Sequence, residues 1–149
     1  MISTRLARWI AVLALVASCE SGGGKDAAGF TLFMPPAEER RVGAEEHPKI
    51  LARFGGVYDD APIGAYVAEI GGRLAAHSGA GGAEYRFTVL NSPVVNAFAL
   101  PGGYVYVTRG LLALANSEAE LAGVLAHEIG HVAARHMAQR YSQAVALNL

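Results

Sequence analysis

The residues best suited to chemistry in this sequence are His127, Glu128 and His131, within the stretch LAGVLAHEIGHVAARH. On a helix that advances about 100° per residue, His131 lies about 40° and Glu128 about 100° round from His127, so all three face one quadrant. One turn, roughly 6 Å, separates the histidines, which lets two imidazole nitrogens close on one zinc ion at about 2.0–2.1 Å each. Glu128 is turned enough to miss the metal and reach a water beside it, the position of a general base in metal-assisted hydrolysis. The HExxH pattern also has a bland alternative, a pair of hydrogen-bonded helix histidines. Against it, three ionisable side chains on an otherwise apolar helix all need their desolvation compensated, and one metal does that for all three.

A helix has to carry these residues, and the same wheel sorts its other positions. Leu121, Leu125, Ile129 and Val132 form an apolar stripe for the core. Ala119, Gly123, Ala126, Gly130, Ala133 and Ala134 make a face without bulk, which predicts close approach of another backbone, the sheet. Ser117 followed by Glu120 has the form of a capping box, each side chain reaching the other's backbone N–H at a helix start. From there the spacing predicts a helix to about Arg140. On such a helix His136 faces about 180° away from His127. A metzincin pattern would require glycine at position 134 and histidine at 137, where the chain has Ala134 and Met137. His136 therefore reads as a core or helix-end histidine, and the isolated His47 and His77 as surface or element-end residues.

Upstream elements follow from periodicity and breakers. AEERRVGAEEH favours a helix, and Pro48 suits the first turn of a second one, KILARF, which Gly55 and Gly56 would end. Asp60 can cap the next helix, with Pro62 in its first turn and Ile63, Tyr66, Val67, Ile70 and Leu74 at helical spacing. Gly71 and Gly72 inside it mark either close packing or an earlier stop. The period then changes to two: YRFTVL, VVNAFAL and, through PGG, YVYV read as a hairpin flanked by a third strand, with the short helix GLLALA behind it.

At the start, Arg5 and Arg8 precede the apolar run WIAVLALVA, which is short for a bilayer span, and VASC ends on Cys19. This resembles the lipobox of bacterial lipoprotein signal peptides. It implies a signal peptide over 1–18, lipidation at Cys19, a glycine-rich tether over 19–34 and a folded part over 35–149. The alternative for Cys19 is a small hydrophobe ending an anchor. As the only cysteine, it has no disulfide partner within the chain. Lys and Arg number 12 against 13 Asp and Glu, and no basic cluster occurs, so no nucleic-acid partner is expected.

The run NAFALPGGYVYVTRGLLALANSEAELAGVLAHEIGHVAARH, with DDAPIGAYVAEIGGRLA before it, resembles the HtpX-like zinc metalloproteases. That peptidase family includes the CAAX prenyl endopeptidases, and the likeness is greatest to its BepA-like periplasmic lipoprotein branch. The resemblance implies an α+β, gluzincin-type fold with N-terminal helices, a small three-stranded sheet and the HExxH helix, and Zn²⁺ as cofactor. His127 and His131 would be the metal ligands and Glu128 the general base. A third ligand, a glutamate, would come from a downstream helix, expected beyond Leu149, so that 35–149 is the N-terminal part of a catalytic domain. Glu120 cannot substitute, lying about 10 Å from His127 along the axis, and Glu45, Glu46, Glu69 and Glu84 show no ligand spacing.

Asn96, Ala97, Phe98, Ala99 and Leu100 would form the edge strand to which a protein or peptide substrate adds its backbone. The alternative for this segment is an ordinary core strand. The expected activity is zinc-dependent endoproteolysis, acting on misfolded envelope proteins. The expected place is the bacterial envelope, anchored to a membrane by lipid at Cys19 and, with Glu20 following it, at the periplasmic face of the outer membrane. From another class comes a lipid-anchored periplasmic binding module or chaperone for outer-membrane proteins that performs no proteolysis.

Overall fold

The computed structural model describes residues 34–79 and 83–147. The expected signal segment 1–18, Cys19 and the expected tether as far as residue 33 lie outside the described residues. The chain runs α1 (Pro36–Arg53), α2 (Ala61–Ala75), β1 (Arg86–Leu90), β2 (Ala97–Leu100), β3 (Tyr104–Thr108), α3 (Arg109–Leu114), α4 (Glu118–Ala133) and α5 (His136–Leu147). This is an α+β arrangement with one small sheet, as the change of period suggested. Among the described residues no helix is long and apolar enough to cross a membrane.

The sheet order is β1-β3-β2, with β3 parallel to β1 and antiparallel to β2. Every residue of β3 is buried, as expected of a strand paired on both sides and covered on both faces. On one face Val89, Val105 and Val107 pack against Val67 and Ile70 of α2 and Leu121 and Leu125 of α4. On the other, Leu90, Tyr104 and Tyr106 meet Ile50 and Leu51 of α1, Phe54 just after it, and Phe98 and Leu100 of β2. The strand period of two thus divides the core into two clusters, with α1 on one side and α2 and α4 on the other.

Two helical expectations are corrected or decided. Instead of breaking before Pro48, α1 is one continuous helix with Pro48 inside it. Packing on both sides of the proline outweighs the roughly 3 kcal/mol cost of an interior proline. Before it, Gly43 sits so close to β3 that a Cβ there would lie 2.1 Å from the Pro101 carbonyl and 2.8 Å from the Tyr104 ring. After it, Ile50, Leu51 and Phe54 dock on the sheet, and Gly56 N–H bonds the Leu51 carbonyl at 2.7 Å to close the helix. In α2, Asp60 caps through Ile63 N–H at 3.1 Å. Gly71 of α2 marks close packing, because a Cβ would meet the Phe87 ring at 2.4 Å.

His47 also differs from its sequence reading. It sits inside α1, half-buried, with Nδ1 2.7 Å from the Tyr106 hydroxyl and its ring stacked on Tyr106. Its partner is 59 residues away, so local spacing held no trace of the contact. His77 is exposed at the end of α2.

Candidate metal centre

Helix α4 starts where the sequence placed it. The Ser117 hydroxyl accepts from Glu120 N–H at 3.2 Å. The return arm of the capping box is displaced by one residue, since Glu120 Oε2 accepts from Asn116 N–H at 2.8 Å. Leu121, Leu125 and Ile129 are buried and Val132 half-buried, so the apolar stripe faces the core. The opposite expectation about the small-residue face is corrected. Ala119, Gly123, Ala126, Gly130 and Ala134 are exposed, and a Cβ at Gly123 or Gly130 would meet nothing within 4 Å. The sheet docks on the large apolar side chains, which bury more area than the small face could.

The stripe orients the site. His127 Nε2 and His131 Nε2 face each other 3.0 Å apart, with ring centroids 4.6 Å apart and planes at 86°. Glu128 shares their cleft, a space of about 280 Å³. Phe98, Ala99, Leu100 and Pro101 of the β2 hairpin line it opposite His127, Glu128, His131 and Val132, and Glu39, Arg135, His136, Met137 and Arg140 complete its wall. β2 lies at the sheet's edge, so an outer strand edge borders the cleft that holds the three site residues.

Thr108, buried at the end of β3, holds the beginning of that edge. Its hydroxyl donates to the Val94 carbonyl and accepts from Asn96 N–H at 3.1 Å, while its own N–H bonds the Asn96 carbonyl at 3.0 Å. Asn96 therefore precedes the strand and spends its backbone on β3, while residues 97 to 100 form the strand itself.

Burial pushes the Glu128 carboxyl up to about 7. The His131 imidazole is held below its ordinary range, chiefly by burial and then by the charges of His127 and His136. A neutral His131 is the ligating form, and a base that titrates near neutrality suits proton transfer. The donor set fits a zinc ion. Two imidazole nitrogens aimed at each other suit a proton or a cation between them, and tetrahedral zinc with bonds of about 2.0–2.1 Å asks for a separation of about 3.3 Å. A small opening of the 3.0 Å pair reaches that value. Among the described residues, no cluster of three or more His, Cys, Asp or Glu side chains could hold a metal.

The largest departure from expectation lies just past the site. α4 stops at Ala133 rather than running to Arg140. Arg135 takes a left-handed conformation, φ 53°, and α5 begins at His136. The Arg135 guanidinium ties this break to α1: Nε donates to Glu39 Oε1 at 2.7 Å, and Nη2 pairs with Glu39 and donates to the Met34 carbonyl at 2.7 Å. The break swings His136 back, so its Nδ1 lies 2.7 Å from His131 Nδ1 instead of facing away.

Reasoning from spacing missed Arg135, Glu39 and this use of His136. One signal was present: continued as a single helix, the buried stripe would next have been occupied by the polar residues His136, Gln139 and Gln143.

Comparison with known proteins bears on the same stretch. The profile of peptidase family M48 matches residues 64–149. The mitochondrial metalloendopeptidase OMA1 of Schizosaccharomyces pombe is 35% identical over 104 residues, covering 68% of this chain and 31% of that protein. A putative beta-barrel assembly-enhancing protease of Vibrio cholerae is 35% identical over 112 residues, covering 75% of this chain and 22% of that protein. The beta-barrel assembly-enhancing protease of Escherichia coli is 32% identical over 112 residues, with the same shares. The chain thus spans less than a third of the length of the relatives it matches.

Proposed function

The chain belongs to peptidase family M48, and from that premise we propose that it contributes the metal-binding helix of a zinc-dependent endopeptidase, with His127 and His131 as ligands and Glu128 as general base. The observation that carries this reading is the pair of Nε2 atoms 3.0 Å apart in one cleft with the half-buried Glu128 carboxyl. A gluzincin arrangement would add a glutamate ligand, which the described acids do not supply. Zinc, when bound, supplies Lewis-acid polarisation of the scissile carbonyl and makes water a better nucleophile. Glu128 takes a proton from the attacking water and hands it to the leaving amine. His131, kept neutral, holds its lone pair toward the metal.

The substrate-binding part of the proposal rests on the sheet edge. A peptide in extended form adds to β2 alongside Ala97–Leu100, exchanging backbone hydrogen bonds that are indifferent to its sequence. Selection by exposed backbone suits unfolded segments of envelope proteins. With a lipid at Cys19, such substrates would be met at the periplasmic face of the outer membrane. The Vibrio cholerae and Escherichia coli relatives are named as beta-barrel assembly-enhancing proteases, which supports a protein substrate.

The test is Glu128→Gln in the full-length protein. We expect unchanged zinc stoichiometry by elemental analysis and a fall of about 10²-fold or more in cleavage of an unfolded protein. Cleavage at the parental rate would remove Glu128 from the mechanism.

A further inference from the structure

We propose that His136 is a positioning residue for the metal centre: its Nδ1 accepts a hydrogen bond from His131 Nδ1–H, fixing the tautomer and ring orientation that point His131 Nε2 at the metal. The inference rests on the metalloprotease reading and concerns a residue which that reading leaves unused.

The geometry separates a hydrogen bond from joint ligation. The two Nδ1 atoms are 2.7 Å apart, a hydrogen-bonding distance. His131 also turns its other nitrogen, Nε2, toward His127 at 3.0 Å. One ring cannot offer both nitrogens to one ion, so His136, on the Nδ1 side, is not a third ligand to the ion that His127 and His131 would share. A hydrogen bond between two Nδ1 atoms needs one proton only. If Nε2 of His131 is to keep its lone pair for a metal, that proton sits on His131 Nδ1 and His136 carries its own on Nε2.

The fold is built to deliver this contact. On an unbroken helix His136 would point about 180° from His127. The left-handed Arg135 and its bonds to Glu39 and the Met34 carbonyl redirect the chain, and the two rings meet with centroids 4.9 Å apart at 63°. His136 is exposed, so the contact is no by-product of core packing. Partners that hold the remote nitrogen of a ligating histidine typically alter metal affinity about 10–100-fold when removed.

The experiment titrates the full-length protein with zinc alone, in competition with a chromophoric chelator, for the parent, His136→Ala, His136→Asn and His131→Ala, with circular dichroism as the folding check. We expect His136→Ala to weaken zinc binding about 10–100-fold and His136→Asn, whose amide oxygen can accept the same proton, to recover most of the loss. His131→Ala should abolish specific binding. Parental affinity in His136→Ala alongside loss in His131→Ala overturns the positioning role and leaves the metal site standing. Parental affinity in His131→Ala overturns the metal reading itself. Loss in His136→Ala as complete as in His131→Ala, without recovery in His136→Asn, would make His136 a ligand and also overturn the proposal. Should the alanine variant not fold, ¹⁵N spectra of the zinc-loaded parent decide: the proposal requires an unprotonated His136 Nδ1 that accepts from His131 Nδ1–H, and a protonated His136 Nδ1 overturns it.

Discussion

The two ends of α4 are secured in opposite ways. At its start the bonds are local: Ser117 to Glu120 N–H and Glu120 to Asn116 N–H, partners within four residues. At its end the chain turns on Arg135, whose guanidinium is held by Glu39 and the Met34 carbonyl, 96 and 101 residues away. His127 and Glu128 lie on the regular body of the helix, whereas the His131–His136 contact depends on the break. The helix start can form as soon as the helix does. The second contact adjoins bonds to α1, so the setting of the His131 ring is tied to a part of the chain 96 residues from the break.

The largest expected effect comes from Glu39→Ala, which removes the carboxylate partner of a guanidinium whose side chain is only 33% exposed. Breaking a fully buried pair costs about 3–5 kcal/mol and an exposed one under about 1, so this intermediate case should cost about 2–3 kcal/mol in chemical denaturation. Zinc affinity should fall with it, because the break that presents His136 loses its tie. A loss below about 0.5 kcal/mol would mean that the break is held locally, and the contrast between the two ends would disappear.

Next in size is the cost of keeping Glu128 desolvated between those ends. Its carboxyl titrates at about 7 in the fold against an ordinary 4.5, so the native state holds the proton more tightly. Stability therefore declines as pH rises from about 4.5 through about 7 and stays low above that. Glu128→Gln has no proton to lose. The metal-free variant should match the parent near pH 4 and exceed it at pH 8 by about 2 kcal/mol, a figure reduced from the full shift for partial solvent access. His131 acts with the opposite sign: its lowered pKa costs stability as pH falls below 6.5, equally in both proteins, so it cancels from the difference. Identical pH profiles would show Glu128 to be solvated like an ordinary surface acid.

These cases show what the sequence made legible. The His127–Glu128–His131 seam and the stripe of Leu121, Leu125 and Ile129 follow from helical period alone. The β2–β3 hairpin follows from the alternating runs on either side of Pro101, Gly102 and Gly103. Continuity of α1 through Pro48, the partner of His47, and the turn at Arg135 were not legible, because each is decided by contacts with residues distant in sequence. The small-residue face was misread for a related reason: a wheel ranks faces by size and polarity but does not say which one the sheet will cover.

A smaller effect tests the start of α4. Ser117→Ala removes one capping bond and should cost about 1 kcal/mol in thermal or chemical unfolding. Because the cap lies about 15 Å along the axis from His127, zinc affinity should not change. A fall in affinity as large as that for Glu39→Ala would show that both ends position the site, and the two ends of α4 would no longer differ.

The smallest effect asks whether the left-handed backbone at the far end is a preference of the chain or an imposition. Arg135→Ala and Arg135→Gly both lose the bonds to Glu39 and Met34, so their difference isolates the backbone at φ 53°. Alanine in this region pays roughly 1–2 kcal/mol of steric cost, while glycine pays none there but gives up about 0.5–1 kcal/mol through its freer unfolded chain. If the break persists without the guanidinium, the glycine variant should be the more stable by about 0.5–1 kcal/mol, read from the two denaturation midpoints. An alanine variant of greater stability would mean that residue 135 relapses into a right-handed turn once the ion pair is gone. The break would then be imposed by α1, and the far end of α4 would depend on distant contacts down to its backbone angles.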